Sequence, residues 1–229
     1  MLSTIKKIFS DKPIRSFELD YKHYWSDRGI KQVTKRDRLI ASLIEEGSKI
    51  LDIGCGDGRL LSYLYSTLHV EGFGIDISED AVRRARERGL QVECIDICNA
   101  ELVKEWLFDY IIMSDFIEHI PDPEKVLMKL KGHFRKGIII TIPNTGYITL
   151  RLRLCIGGRF PVQWGKHPGE HLRFWTIKDF IWWTKQLGYR VSKIVPIRGT
   201  ILKGFLPDLF SKKNIFLLSE AGVLETKES

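Results

Sequence analysis

The sequence predicts an α/β fold: a mostly parallel sheet with helices on both faces. Three observations carry that reading. Five short runs rich in Ile, Val and Tyr alternate with longer helical patterns, as strand–helix–strand units do. A glycine-rich string follows the first run, and an aspartate stands in or at the end of each of the first three.

The expected strands are Lys49–Ile53, Gly72–Ile75, Gln91–Ile95, Asp109–Met113 and Gly137–Ile142. Between them the helices carry start and stop chemistry. Arg59–Leu68 follows the glycines directly. Ser78 caps Glu79–Arg88, with acids in the first turn, arginines in the last and Gly89 as the stop. Asp122 caps a helix that has Pro123 in its first turn and ends near Gly132. After the fifth strand an aromatic and basic stretch runs from Pro143 to Thr176. The helix after it opens on Thr176 and Asp179, a capping box built with the shorter acid, and stops at Gly188. Arg190–Pro196 and Asn214–Ser219 then pair antiparallel across Ile197–Lys213 and bring the sheet to seven strands. The expected organisation is an accessory segment at 1–30, a main domain at 31–221 with residues 143–176 as a substrate-side insertion, and a frayed tail at 222–229.

With 229 residues, 44% hydrophobic and 28% charged, the chain has the composition of one globular domain, neither disordered nor built of repeats. No apolar run approaches the ~20 residues of a membrane-spanning helix, and the first ten residues lack a signal-peptide core, so a cytoplasmic location is the expectation. Cys55, Cys94, Cys98 and Cys155 form neither a C-x-x-C pair nor a zinc-like spacing and read as reduced thiols; no metal is expected. The net charge of +7 concentrates between Pro143 and Arg190, where eight basic residues face only Glu170 and Asp179. Such a stretch suits an anionic partner. The arginines 83, 84, 86 and 88 instead complement their own helix dipole.

The string Ile50-Leu-Asp52-Ile-Gly54-Cys-Gly56-Asp-Gly58 runs from a strand into a helix. Its glycines let the backbone turn tightly and let a ligand approach, while the next helix offers free N–H groups. A dinucleotide loop would read G-x-G-x-x-G; this one reads G-x-G-x-G, with Asp52 inside the strand. Asp76 ends the second strand, where a carboxylate can accept both hydroxyls of a ribose. Asp96 and Ile97 end the third, where an adenine amino group and ring face would lie. Together these acids occupy the crevice in which open α/β sheets bind ligands.

On these motifs, with Ser114-Asp-Phe-Ile-Glu118-His119-Ile-Pro-Asp122-Pro after the fourth strand, the chain resembles the class I S-adenosylmethionine-dependent methyltransferases over about Lys49 to Ser219. The resemblance implies a Rossmann-like seven-stranded sheet with the last strand antiparallel, and S-adenosylmethionine along the ends of the first four strands. Its cofactor residues would be Asp52, Gly54, Cys55, Gly56, Gly58, Asp76, Ile77, Asp96, Ile97 and Ser114. The segment Ile142-Pro-Asn144-Thr-Gly-Tyr-Ile-Thr-Leu-Arg151-Leu-Arg153, then Gly158-Arg-Phe-Pro161 and His171-Leu-Arg173-Phe-Trp-Thr, looks like the MetW subgroup. That subgroup is associated with methionine biosynthesis beside homoserine O-acyltransferase. The Glu118-His119 pair departs from it and looks more like active small-molecule O-methyltransferases.

A methyl sulfonium is already activated, so such a protein must hold the acceptor in line and take a proton from a hydroxyl. His119 and His171 are the candidate bases. Glu118, Asn144, Arg151 and Arg173 are the candidate acceptor-binding residues, since arginine pairs bidentately with phosphate and carboxylate. The expected reaction is O-methylation of a small anionic metabolite or sugar precursor. The alternatives are an accessory subunit docked on an acyltransferase and an RNA methyltransferase, the latter disfavoured because no nucleic-acid module is visible. Trp164, Trp175, Trp182 and Trp183 read as core or lid packing. Ile201–Lys213 reads as an active-site lid or packing segment, with contact to a membrane surface as its rival.

Overall fold

The computed structural model describes residues 10, 32–102, 106–160, 163 and 167–221. The expectations for 1–30, apart from Ser10, and for Trp164 and 222–229 lie outside those residues.

Among the described residues seven strands form one sheet: β1 (Lys49–Ile53), β2 (Glu71–Asp76), β3 (Gln91–Cys94), β4 (Phe108–Ser114), β5 (Phe134–Pro143), β6 (Tyr189–Gly199) and β7 (Ser211–Glu220). Their order is β3-β2-β1-β4-β5-β7-β6. β1 to β5 pair in parallel, whereas β7 is antiparallel to both β5 and β6. The order reverses between β1 and β4, which opens a crevice at their carboxyl ends. Among the described residues the helices are α1 (Lys35–Ala41), α2 (Arg59–Leu68), α3 (Glu79–Glu87), α4 (Pro123–Lys129), α5 (Ile148–Cys155), α6 (Ile177–Gln186) and α7 (Pro207–Phe210).

The central strands read as continuous apolar runs because both faces are covered. Leu51, Ile53, Ile111, Met113, Ile138 and Ile140 join one core cluster, while Ile50, Tyr110, Ile112, Ile139 and Ile215 join the other. The side-chain period of two thus sends alternate residues to opposite layers. Trp175 and Trp183 pack with Phe180 and Phe216 in the first layer, as expected, but Trp182 is exposed.

The caps at Ser78 and at Thr176 with Asp179 form as the sequence indicates. Asp122 takes the N-cap position of α4, with Pro123 in the first turn, but its carboxylate pairs with Lys125 and makes no cap hydrogen bond. The connection after β6 is shorter than expected, and residues 200–211 do not line the crevice, whereas Lys212 and Lys213 do. It holds a 3₁₀ turn at Ile201–Gly204 followed by α7, and leaves Ile201 96% and Phe205 83% exposed.

α1 is tied to the glycine loop by charge. Asp37 is fully buried, completes a capping box with Thr34, and takes Arg59 Nε at 3.0 Å. Backbone and arginine donors hold its carboxyl below the usual carboxylate range despite burial. Its contribution to stability is therefore present above the unfolded pKa and is lost as pH falls through the folded one. Asp37→Ala leaves Arg59 with an uncompensated charge, and we expect a loss of about 3–5 kcal/mol in urea unfolding at pH 7. A loss under about 1 kcal/mol would mean that solvent already screens the pair.

Candidate active site

The crevice is a cleft of about 1180 Å³ lined from β1, β2, β4 and β5, the loops after them and after β3, and the ends of β6 and β7. It exceeds the ~300–1,000 Å³ of most small-ligand pockets, leaving room for two reactants.

On the β1–β3 side, Gly54 and Gly56 turn the chain with positive φ, and the Gly54 and Cys55 amides donate to the Ile75 carbonyl. A Cβ on Gly54 would lie 2.5 Å from the Phe116 ring. Gly58 is required for packing instead: it caps α2 in the left-handed region, and a Cβ there would strike Leu90 and Ala85. It does not line the cleft, unlike Gly54, Cys55 and Gly56.

Asp76 accepts from Gly56 N at 2.8 Å and Ser78 N at 2.9 Å, one bond on each oxygen. A carboxylate has about four acceptor sites, so roughly two remain for a ribose diol. Asp96 likewise accepts from Cys98 N and Asn99 Nδ2, which shapes the turn after β3. Ile77, partly exposed, and Ile97, buried, supply apolar surface beside it. At the tip of β4, Ser114 Oγ is buried without a hydrogen-bond partner among the described residues and lines the cleft with Gly54 and Asp52. These features fit an adenosine followed by an amino-acid-like tail.

Asp52 is 2% exposed. Burial raises its pKa to about 7, with Asp76 and Asp37 pushing the same way and Arg36 and Arg59 opposing. At neutral pH it sits between the charged and neutral forms.

At the tip of β4 the chain turns sharply. Asp115 has φ 55° and is held by Arg36, by Lys213 Nζ at 2.5 Å and by Thr141 Oγ1 at 2.7 Å. Lys213 and Arg36 pull its pKa down to about 2 against burial. The turn leads into a 3₁₀ segment, Ile117–His119, that brings Glu118 and His119 to the cleft. None of Arg36, Asp115 or Lys213 was a sequence candidate, because their partners are 79 and 98 residues apart.

The loop before α6 comes to the same spot. Leu172 N and Arg173 N donate to the Glu118 carbonyl at 2.8 and 3.2 Å, and His119 Nδ1 donates to the Glu170 carbonyl. Thus Glu170 orients a histidine through its backbone, and that histidine is His119, not its neighbour His171. The His119 and His171 rings stand perpendicular, 4.7 Å apart. Burial holds His119 below the usual imidazole range, and burial with His119 nearby brings His171 to about 4. Both are neutral at pH 7. Glu118 is 1% exposed, and burial with Asp115 raises its pKa to about 8.

The remaining candidates lie elsewhere in function or place. Asn144 lines the cleft, but its side chain is spent on the Asp208 and Ser211 carbonyls and the Gly146 amide. Arg151 pairs with Asp208 at 2.5 Å; Arg173 donates to the Pro121 carbonyl and faces Glu124 at 3.7 Å. Neither arginine lines the cleft, and Arg153 is buried among carbonyls. Three arginines of the basic stretch, Arg151, Arg153 and Arg173, are therefore engaged by the protein itself. The cations at the cleft on the β6–β7 side are Arg198, Lys212 and Lys213.

The profile described as "Methionine biosynthesis protein MetW" matches residues 35–218. The chain belongs to the MetW family, with the fold of class I S-adenosylmethionine-dependent methyltransferases. It is 29% identical over 192 residues to a small RNA 2'-O-methyltransferase of Schizosaccharomyces pombe, covering 71% of this chain and 49% of that one. A bifunctional methionine biosynthesis protein MetXA/MetW of Rhodopirellula baltica is 29% identical over 61% of this chain and 25% of its own. A ubiquinone biosynthesis O-methyltransferase of Glaesserella parasuis is 27% identical over 73% and 82%. The chain thus spans half or less of the first two relatives. Among solved structures, a methyltransferase from Thermotoga maritima superposes with TM-score 0.61 at 19% identity, over 81% of this chain and 88% of that one. One from Thiobacillus denitrificans, in complex with S-adenosylhomocysteine, does so with TM-score 0.58 at 15% identity, over 86% and 96%.

Asp76→Ala removes acceptors for Gly56 and Ser78 as well as for a ribose, so we expect S-adenosylhomocysteine to bind about 10- to 100-fold more weakly in calorimetry. Unchanged affinity would move the nucleoside away from β2.

Proposed function

We propose that this chain transfers the methyl group of S-adenosylmethionine to a hydroxyl of a small anionic acceptor. The observation that carries the reading is the division of one cleft by sheet order. Asp52, Asp76 and Asp96 come from β1 to β3 and the turn after β3; Glu118 and His119 follow β4; Arg198 and Lys212 come from β6 and β7. The acceptor end thus combines neutral nitrogen bases with cations, opposite the carboxylates suited to the nucleoside.

When bound, S-adenosylmethionine supplies an electrophilic methyl on a sulfonium. The chain's own task is position: holding an oxygen in line behind that methyl accounts for roughly 7–11 kcal/mol of such barriers. Asp76 and Asp96 anchor the adenosine, Asp52 and Ser114 face the amino-acid end, and Arg198 and Lys212 hold the acceptor's anionic group. His119, fixed by Glu170, and His171 face the hydroxyl.

The test is transfer of labelled methyl to hydroxylated acceptors with and without a carboxylate or phosphate. We expect turnover to favour the anionic set. Replacing Arg198 and Lys212 together with Ala should raise KM for the acceptor about tenfold with kcat little changed, the signature of uniform binding. Turnover of neutral acceptors alone would contradict the acceptor class.

Affinity for S-adenosylmethionine should also depend on Asp52. A cationic ligand favours the ionised carboxylate, which Arg36 and Arg59 share and Asp37 and Asp76 oppose. Binding below about pH 7 must therefore expel a proton, and affinity should fall by up to about tenfold per unit there. Asp52→Asn should flatten that slope; an unchanged slope would assign it to another group.

A second reading follows from the family match: an accessory subunit docked on homoserine O-acyltransferase. It predicts cofactor binding without turnover of any acceptor, and co-purification with that enzyme.

A further inference from the structure

The cluster at the acceptor end has a composition that proton transfer alone does not need. Among the described residues, one ligand-type atom from each of Glu118, His119 and His171 lies within 4.8 Å of the others. The three come from two segments more than fifty residues apart, stapled by the two amides donated to the Glu118 carbonyl and by the bond from His119 to Glu170.

Two of the three groups each carry a buried atom that, among the described residues, has no hydrogen-bond partner. Glu118 Oε2 and His171 Nδ1 are buried with no hydrogen bond, and Glu118 is 1% exposed. Leaving a buried carboxylate oxygen unsatisfied is costly, and the usual remedies are a hydrogen bond, a proton or a cation. The third group is oriented. Because His119 Nδ1 faces a carbonyl, it carries the hydrogen, and Nε2 is left as the lone-pair nitrogen, 4.0 Å from Glu118 Oε1. A backbone carbonyl behind the far ring nitrogen is the support that metal-bound histidines commonly have.

We propose that Glu118, His119 and His171 bind one divalent first-row transition-metal ion at the acceptor end of the cleft. This inference rests on the methyl-transfer reading for its purpose, not for its geometry. Two imidazoles and a carboxylate suit Mn²⁺, Fe²⁺, Co²⁺ or Zn²⁺; a calcium site would need six or more oxygens, and no thiolate is in the set. Ligands ~2.1 Å from one ion lie ~3–3.5 Å apart, so the side chains draw in by about an ångström on binding. The ion would hold the acceptor hydroxyl and release its proton to solvent. The oxygen pair then forms the O–CH₃ bond while the S–CH₃ bond breaks, its electrons staying on sulfur. The products are a methyl ether, S-adenosylhomocysteine and one proton.

The test uses the full chain, stripped with a chelator, titrated separately with Co²⁺ and with S-adenosylhomocysteine by calorimetry and visible absorption. We expect one Co²⁺ per chain, weakened about tenfold or more in His171→Ala, with S-adenosylhomocysteine bound equally by both. His171→Cys should restore binding and add a thiolate-to-cobalt charge-transfer band. A wild-type chain that binds S-adenosylhomocysteine but not Co²⁺, or a His171→Ala variant with wild-type Co²⁺ affinity, would overturn the metal site. Co²⁺ bound without the nucleoside would keep the metal site and overturn the cofactor reading; neither bound by a folded chain would overturn both.

Discussion

One carboxylate holds the active end of this fold together. Asp115 receives Arg36 from α1, Lys213 from β7 and Thr141 from β5, so four elements meet at the tip of β4. The charges there are largely out of water, where an unpaired one would cost several kcal/mol. With Arg36, Lys213 and Thr141 around it, Asp115 keeps its charge at any pH above about 2. Its left-handed backbone, strained for a residue other than glycine, redirects the chain into the turn that carries Glu118 and His119. The geometry of the acceptor end is thus set by Asp115, whose partners Arg36 and Lys213 lie 79 and 98 residues away in the chain.

The same arrangement separates two electrostatic environments within one cleft. Toward β1–β3, carboxylates bonded to backbone amides suit hydroxyls and a cationic tail. Around Glu118, burial favours neutral forms: both imidazoles are unprotonated at pH 7, and the carboxyl titrates near pH 8. The negative charge of Asp115 reinforces this on Glu118 while the cations around it oppose the effect. A site of neutral nitrogens and one carboxyl is ready to take a proton or a cation.

Much of this was legible in the sequence, for a physical reason. Strand identity follows from runs such as Gly-Ile-Ile-Ile-Thr-Ile, and cap residues act on amides two or three positions away. Asp52, Asp76 and Asp96 announce themselves because each closes or interrupts an apolar strand. What failed to be legible is partner choice across distance. Arg151 and Arg173 look like anion binders until Asp208 and Glu124 are seen beside them. Asn144 reads as a ligand contact, yet its amide fastens α7 to the end of β5. Gly58 belongs to the glycine motif by spacing, but to helix packing by contact. Glu118, His119 and His171 were each visible singly; their meeting depends on backbone bonds that no local pattern encodes.

Methyl transfer in this cleft requires a nucleoside whose sulfur faces Glu118, His119 and His171. A crystal structure of the full chain with S-adenosylhomocysteine measures that directly. We predict ribose hydroxyls on Asp76, the adenine beside Asp96 and Ile97, and the sulfur facing the Glu118–His119–His171 cluster. A nucleoside bound outside the β1–β3 ends, or a sulfur directed away from that cluster, would contradict the assignment of the cleft to methyl transfer.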